Sequence, residues 1–280
     1  MQIFEEIEPI RAYLDDQRRK GKSIGLVPTM GALHQGHLSL IGASKGENDL
    51  TVGTIYVNPT QFNNSTDLAK YPRSLEADIA QLTQAGCEVL FKPSNEVMYG
   101  KTDNSLKFDF GQLDKVLEGK FRPGHFSGVA LVVSKLFNII QPHRAYFGQK
   151  DYQQFLVISR LVEELKFPLQ LKSIPISRET SGLALSSRNQ RLSEEGRAKA
   201  LLLVKSLRFT RDELLNGQNI NDVRKEIQAR FDGTPGAKLE YLELADRNTL
   251  EALQHGEKES AVILIAGFVD DVRLIDNMLL

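Results

Sequence analysis

The stretch "VPTMGALHQGHLSLI" (residues 27–41) contains two of the five histidines of the chain, three positions apart. A short apolar run ends at Pro28, and an apolar stretch follows His37. Gly31 allows a tight turn between them. The pattern predicts a buried strand, a turn, and a helix that starts near His34.

The same alternation recurs along the first two thirds of the chain. Further apolar runs predict strands, whereas the longer segments behind most of them have helical period. The predicted strands are 23–28, 50–58, 87–93, 145–148 and 169–176, and the clearest helices are 34–45, 74–85, 126–140 and 151–166. Strand alternating with helix favours an α/β fold, a Rossmann-like parallel sheet with helices on both faces.

The pattern changes after residue 190. Two amphipathic helices are predicted over 192–217 and 220–231, the first with Ser193 as its cap. Strands over 238–246, 260–269 and 271–276 follow, with a hairpin turn at "VDDVR". We therefore predict a first domain over 1–176 and a smaller α+β domain over 177–280.

Composition restricts the class of protein. The chain has 280 residues, 41% of them hydrophobic, which suffices for a substantial core. Lys plus Arg is 35 and Asp plus Glu is 36, so no basic excess indicates a nucleic-acid partner. The chain has a single cysteine, Cys87, and a charged N-terminal segment, and it contains no apolar run long enough for a membrane helix. These features favour a cytoplasmic protein without a membrane partner.

Three interpretations of the histidine pair are open. At a helix start, His34 and His37 share one face beside free backbone N–H groups, where neutral imidazoles could bind a phosphate. Gly36 leaves room for a ligand between the rings. Zinc is less favoured, because His-Glu-x-x-His sites pair histidines at i and i+4 and no third ligand is obvious here. The simplest alternative is a pair of polar residues that cap a helix.

Polar residues also follow other predicted strands. Asn58 and Gln61 in "NPTQF" suit a carboxylate or hydroxyl, or form an ordinary turn. Lys150 opposes the dipole of the helix that it begins, so a phosphate ligand would explain it, whereas Asp151 could be a simple cap. Gly148 permits close approach of a ligand, and Gln154 lies one turn beyond Lys150.

The cluster Ser186, Ser187 and Arg188 combines two hydroxyls with a guanidinium, a set that binds phosphate well. On the pattern alone, an ordinary surface loop is the favoured explanation. Arg122 in "RPGHFSG" could contact an anion or simply be a solvated surface residue.

Together these motifs resemble the His-x-Gly-His nucleotidyltransferase superfamily and, more narrowly, the pantoate–β-alanine ligase family. The resemblance implies ATP-dependent condensation of D-pantoate with β-alanine through pantoyl adenylate, with release of AMP and pyrophosphate. It also implies Mg²⁺ bound mainly through the nucleotide, and a homodimer.

The resemblance assigns roles to these residues. His34, His37, Lys150 and Arg188 would act in catalysis, and Gln61, Gln154 and Asn58 would bind pantoate. The implied nucleotide contacts are Met30, His34, His37, Phe147, Gly148, Lys150, Asp151, Ser186, Ser187 and Arg188. Residues 177–190 resemble the mobile Lys-Met-Ser-Lys-Ser loop of aminoacyl-tRNA synthetases, which closes on ATP phosphates.

Two stretches depart from the family pattern. Thr180 and Ser181 stand where the family has Ala-Asp before glycine, which puts a carboxylate role at 181 in doubt. Ala77 stands beside Asp78 where family members often carry two acidic residues.

Two alternative functions remain open for this sequence. One is a nucleotidyltransferase that keeps AMP on its product, and the other is a non-catalytic nucleotide-binding protein on this fold.

Overall fold

A computed structural model describes residues 1–100, 106–255 and 260–280 of the chain. Their contacts divide the chain into two compact units. Unit 1 comprises Met1–Gln149 and Gln153–Pro175, and unit 2 comprises Lys150–Tyr152 and Ile176–Leu280. Within the described residues, no helix combines the length and the apolar character that crossing a membrane requires.

The described part of unit 1 contains a six-stranded parallel sheet in the order β1-β4-β3-β2-β5-β6. Its strands are β1 Gln2–Phe4, β2 Ile24–Val27, β3 Leu50–Thr54, β4 Val89–Phe91, β5 Arg144–Gly148 and β6 Gln170–Ile174. The predicted parallel α/β sheet is confirmed. The chain builds outward in one direction from β2 to β4, and in the other from β5 to β6. Ligands of open α/β sheets bind beyond the strand ends at such a reversal.

Helices connect these strands. The described helices are α1 Ile7–Arg19, α2 Gln35–Glu47, α3 Ser65–Ala69, α4 Leu75–Gln84, α5 Asn95–Tyr99, α6 Leu117–Phe121, α7 His125–Ile140 and α8 Tyr152–Glu164. Short 3₁₀ helices span Pro59–Gln61, Gly111–Asp114 and Gln149–Asp151. The four helices that the sequence predicts most clearly correspond to α2, α4, α7 and α8.

Alternate residues of each central strand pack into different hydrophobic clusters. Leu26 and Phe147 belong to the cluster that contains residues of α1, α7 and α8. Val27 and Tyr146 belong to another, which contains residues of α2 and α4. Because successive side chains of a strand point to opposite faces, helices cover both faces of the sheet, as predicted.

The first strand and the first helix were not predicted. β1 is a three-residue edge strand, and α1 presents Ile10 and Leu14 to the core while its charged residues lie mostly outside. Two apolar positions one turn apart suffice to attach an amphipathic helix. The many charges of this segment concealed that pattern in the sequence.

Unit 2 contains a three-stranded antiparallel sheet and two long helices in its described part. The strands are β7 Ala237–Asp246, β8 Ala261–Val269 and β9 Val272–Leu279, and the helices are α9 Glu194–Leu215 and α10 Ile220–Asp232. The predicted cap is confirmed, because Ser193 Oγ accepts from the N–H of Gly196 at 2.9 Å. The predicted hairpin turn joins β8 to β9, with Asp270 at φ +52°.

The predicted first domain, 1–176, differs from unit 1 at Ile176 and, within the chain, at Lys150–Tyr152, which cluster with unit 2. Two contacts account for this. The backbone oxygen of Lys150 accepts from Asn277 Nδ2 at 2.9 Å, and the Tyr152 hydroxyl donates to the backbone oxygen of Arg247 at 2.8 Å. Both partners lie far along the chain, so the local pattern around residue 150 gave no sign of them.

Gly25 permits α2 to lie close against β2. A Cβ at this position would lie 2.2 Å from Ser44 Oγ and 2.6 Å from Asn48 Nδ2. We predict that Gly25→Ala lowers the free energy of unfolding by about 1–3 kcal/mol through overpacking.

Gly42 provides the matched control, because it is an exposed glycine of α2 whose added Cβ would meet no described atom within 4 Å. Gly42→Ala should stabilise the protein by up to about 1 kcal/mol through helix propensity. Denaturant unfolding of both variants measures the two effects, and equal stabilities would contradict the proposed packing.

Candidate functional site

The loop that follows β2 lies at the reversal of strand order and is tied to the neighbouring strand. Thr29 Oγ1 donates to the backbone oxygen of Thr54 at 2.5 Å, and the N–H of Tyr56 donates to the backbone oxygen of Thr29 at 3.1 Å. These bonds fasten the carboxyl end of β2 to that of β3. The loop therefore starts from a fixed point.

Asp78 on α4 determines the conformation of this loop. Its carboxylate accepts from the N–H of Ala32 at 2.9 Å and of Leu33 at 2.8 Å, and only 1% of the residue is exposed. Gly31 and Ala32 are both left-handed, at φ +79° and +49°. This conformation is costly for alanine, so the surrounding contacts must maintain it. A Cβ on Gly31 would lie 2.9 Å from Asp78 Oδ2, which favours glycine there.

The two histidines meet at the start of α2. Their rings stack with centroids 4.0 Å apart. His34 is the N-cap residue, and its Nδ1 accepts from the N–H of Gly36 at 3.1 Å. An accepting Nδ1 carries no proton, so the His34 ring is neutral with its proton on Nε2. The helix starts within one residue of the predicted position.

Gln61 is fixed on the 3₁₀ turn after β3. Its Oε1 accepts from Asn58 Nδ2 at 2.9 Å, and its Nε2 donates to Met30 Sδ at 3.4 Å. Asn58 is 1% exposed, and its Oδ1 accepts from the Tyr99 hydroxyl at 2.6 Å. The Tyr99 hydroxyl is protonated at neutral pH, and burial raises its pKa further. Asn58 thus orients Gln61, and Met30 lies beside the amide.

The end of β5 provides an open backbone. The Phe147 side chain is buried in the core, so only its backbone can face a ligand. At Gly148 an added Cβ would meet no described atom within 4 Å, which agrees with close ligand approach. Gln154 on α8 is half-buried, next to the fully buried Gln153.

Lys150 and the Ser-Ser-Arg segment share a small cavity in unit 2. Its lining includes Lys150, Ser186, Asn189 and Asp276. Lys150 Nζ lies 3.8 Å from Asp151 Oδ1, so the exposed Asp151 pairs with the lysine. Asn277 Nδ2 fixes the Lys150 backbone, as described above. The structure therefore brings two of the predicted phosphate-binding segments together.

An ion pair anchors the start of the segment 177–190 within unit 2, and hydrogen bonds inside the segment hold its later residues. Arg178 makes two bonds to the Asp276 carboxylate, at 2.6 and 2.9 Å. Asn189 Nδ2 donates to the backbone oxygen of Ala184 at 3.0 Å. Ser186 Oγ accepts from the N–H of Arg188 at 3.3 Å and so caps the 3₁₀ helix Ser187–Arg191. These contacts give the segment a defined turn conformation.

The departures from the family pattern fall on exposed positions. Thr180 and Ser181 are exposed, and Ser181 Oγ accepts from the N–H of Leu183 at 3.4 Å, the kind of turn contact that an aspartate also makes. Ala77 is exposed, whereas Asp78 is buried and engaged with the loop after β2. The second acidic residue is therefore not needed for this loop contact.

No group of three His, Cys, Asp or Glu side chains converges as a metal site in the described ranges.

The sequence analysis did not identify three residues that hold the candidate site residues in place, namely Asp78, Asp276 and Asn277. Asp78 had one usable signal, because it shares a helix face with Leu82 and a charge on an apolar face requires a partner. Asp276 and Asn277 pair with residues about a hundred or more positions away, which no local pattern reveals.

We predict that Asp78→Asn lowers the free energy of unfolding by about 1–3 kcal/mol, because an amide presents a donor to one of two buried N–H groups. Glu76→Gln on the exposed side of the same helix should change it by less than about 0.5 kcal/mol. Urea unfolding of both variants measures the difference. A stability for Asp78→Asn equal to that of the control would contradict the assigned role.

Comparisons with known proteins cover nearly the whole chain. A family model described as pantoate-beta-alanine ligase matches residues 2–279. A pantothenate synthetase from Cytophaga hutchinsonii is 46% identical over 276 residues, which are 98% of this chain and 97% of that protein.

Solved structures agree with this. A pantothenate synthetase from Thermus thermophilus has a TM-score of 0.92 and 40% identity, with 100% of this chain and 99% of that one covered. A pantoate-beta-alanine ligase from Francisella tularensis, complexed with beta-gamma ATP and beta-alanine, has a TM-score of 0.80 and 36% identity, with 100% and 97% covered.

Proposed function

The chain belongs to the pantoate–β-alanine ligase family, and we propose that the polar residues described above carry out that family's reaction. The reaction is the ATP-dependent condensation of D-pantoate with β-alanine. One observation carries the assignment of the site. The histidine pair lies at the reversal of strand order, on a loop that Asp78 fixes, in a chain that matches the family from end to end.

The chemistry requires positioning and charge stabilisation rather than a protein nucleophile. In the first step a pantoate carboxylate oxygen attacks the α-phosphorus, the bond to the bridging oxygen breaks, and pyrophosphate leaves. In the second, the β-alanine amine attacks the acyl carbon, loses a proton, and AMP leaves. The enzyme must bring anions together and stabilise charge that grows on phosphate oxygens.

We assign the phosphate contacts to His34, His37 and Lys150, and to Ser186, Ser187 and Arg188. A neutral His34 ring with its proton on Nε2 is a hydrogen-bond donor that the positive end of α2 tolerates. Lys150 contributes a positive charge, and Arg188 a guanidinium. Met30, Phe147, Gly148 and Asp151 would contact the nucleotide, Phe147 through its backbone.

We assign pantoate to the amides of Gln61 and Gln154. Neutral amides orient a carboxylate without cancelling the charge that must attack. Gln61 Oε1 retains a lone pair and Nε2 a second hydrogen beyond the contacts with Asn58 and Met30, so both remain available to a substrate. We interpret Asn58 as the residue that orients Gln61.

Mg²⁺ enters this proposal as part of the substrate, bound to ATP. Octahedral Mg²⁺ commonly keeps waters and phosphate oxygens as ligands, with few from protein. The described residues contain no cluster of His, Cys, Asp and Glu for a protein cage, and binding through the nucleotide needs none. A homodimer and a cytoplasmic location are further expectations, and sedimentation of the purified protein would test the first.

The function is tested by following AMP and pyrophosphate release from MgATP with pantoate alone, β-alanine alone, and both. We predict sustained AMP formation only with both substrates. Pyrophosphate release that continues without AMP formation would instead indicate a nucleotidyltransferase that leaves AMP on its product. Calorimetric ATP binding with no turnover of any acid and amine would indicate a binding protein.

We predict that His37→Ala and Lys150→Ala each lower the rate of pantoate-dependent pyrophosphate release by about a hundredfold or more, because each removes a donor to the phosphates. Their circular dichroism spectra should remain native. His143→Ala at the amino end of the sheet and the exposed Lys225→Ala are matched controls that should retain the rate. Near-normal rates in both site variants would refute the assignments.

A further inference from the structure

The backbone of Gln61 is fixed from outside its own turn. Its carbonyl oxygen lies 2.8 Å from Nδ1 of His125, the first residue of α7. His125 is 5% exposed, so this contact is shielded from water. Together with Asn58 and Met30, His125 gives Gln61 a third point of attachment, and the only one of the three to its backbone.

The two neighbours of His125 together fix the tautomer of its ring, because the carbonyl oxygen of Gln61 can only accept and Nδ1 must therefore donate. His125 Nε2 lies 3.1 Å from Arg122 Nη1. A guanidinium can only donate, so Nε2 accepts and carries no proton. The proton of the neutral ring is then on Nδ1, which donates to the Gln61 oxygen. Arg122 thereby stabilises the neutral ring whose Nδ1–H holds Gln61.

Arg122 is in turn placed by buried neighbours, so the interpretation as a solvated surface residue is wrong. Its side chain is 17% exposed and lies 3.7 Å from the Glu118 carboxylate. The N–H of Glu118 donates to Gln153 Oε1 at 2.9 Å, and Gln153 Nε2 donates to the backbone oxygens of Leu113 and Val116. Gln153 precedes Gln154, the other amide assigned to pantoate.

Close packing leaves α7 little freedom to move away from the turn. A Cβ on Gly128 would lie 2.3 Å from the backbone oxygen of Thr60 and 2.7 Å from the N–H nitrogen of Gln61. Asn58 Nδ2 also donates to the backbone oxygen of Gly128 at 3.2 Å. The backbone of α7 therefore touches the backbone of the turn that carries Gln61.

We propose that His125 is a positioning residue that orients Gln61 for pantoate through its Nδ1–H, in the neutral tautomer that Arg122 stabilises. The path through Glu118 and Gln153 then links Gln61 to the backbone that carries Gln154. The inference rests on the proposed function of Gln61. A shared set of contacts would hold in place the backbones that carry the two amides, which favours recognition of one small acid by both.

The test compares two substitutions of His125. His125→Phe removes both ring nitrogens but retains a flat ring, whereas His125→Asn retains an N–H donor near the position of Nδ1. We expect His125→Phe to raise the KM for pantoate about tenfold, the equivalent of one hydrogen bond to the carbonyl, and to change the KM for ATP less than about twofold. His125→Asn should restore the pantoate KM to within about threefold of the parent value.

A double-substitution cycle separates orientation of Gln61 from a general structural role. If His125 acts through Gln61, His125→Phe should change the pantoate KM no further once Gln61→Ala is present. His143→Phe is the matched control, because His143 is an exposed histidine whose Nδ1 accepts from the N–H of Ile24 at the amino end of β2. It should leave both KM values unchanged.

The outcomes distinguish the two levels of the proposal. A raised pantoate KM in Gln61→Ala with a parental value in His125→Phe would overturn the positioning role and leave the function of Gln61 intact. Parental values in both variants would overturn the assignment of Gln61 itself. Equal increases for pantoate and ATP in His125→Phe, with no recovery in His125→Asn, would overturn positioning in favour of a general structural role.

Discussion

The hydrogen bonds from Ala32 and Leu33 to the Asp78 carboxylate are the constraint on which the histidine site depends. The chain must leave β2, pass through two left-handed residues and enter α2 with His34 as its cap. Two buried N–H groups without an acceptor would cost about 1–3 kcal/mol each, comparable to the strain of the loop itself. Because Asp78 belongs to α4, in the connection between β3 and β4, the neighbouring βα unit stabilises the loop conformation.

Much of the fold could be predicted because buried apolar residues recur along the sequence with the period of a helix or a strand. β2 and β5 are short apolar runs, and α7 is an apolar segment of helical period, so each was recognisable locally. α1 was missed because Ile10 and Leu14 are its main apolar anchors among many charges. The position of Lys150 in unit 2 was missed because contacts with a strand more than a hundred residues away decide it.

The candidate site divides in the same way. Donors such as His34, Lys150 and Ser186 could be proposed from the sequence, because their types are unexpected at a helix start or occur in a cluster. The residues that hold them could not, since they act across 46 residues between Ala32 and Asp78, 64 between Gln61 and His125, and 127 between Lys150 and Asn277. Sequence patterns report what a residue can offer, whereas folding determines what orients it.

His34 and His125 both lie at a helix N-terminus, where the dipole disfavours imidazolium. The two rings carry their proton on different nitrogens. In His34 the bond from Gly36 makes Nδ1 the acceptor and leaves the proton on Nε2. In His125 the bond from Arg122 makes Nε2 the acceptor and leaves the proton on Nδ1. Protonation of either ring would place a second N–H opposite the neighbouring N–H donor and break that hydrogen bond. The first unit thus contains two neutral imidazoles, each of which accepts one neighbouring N–H, an arrangement that provides directional hydrogen bonds without adding buried charge.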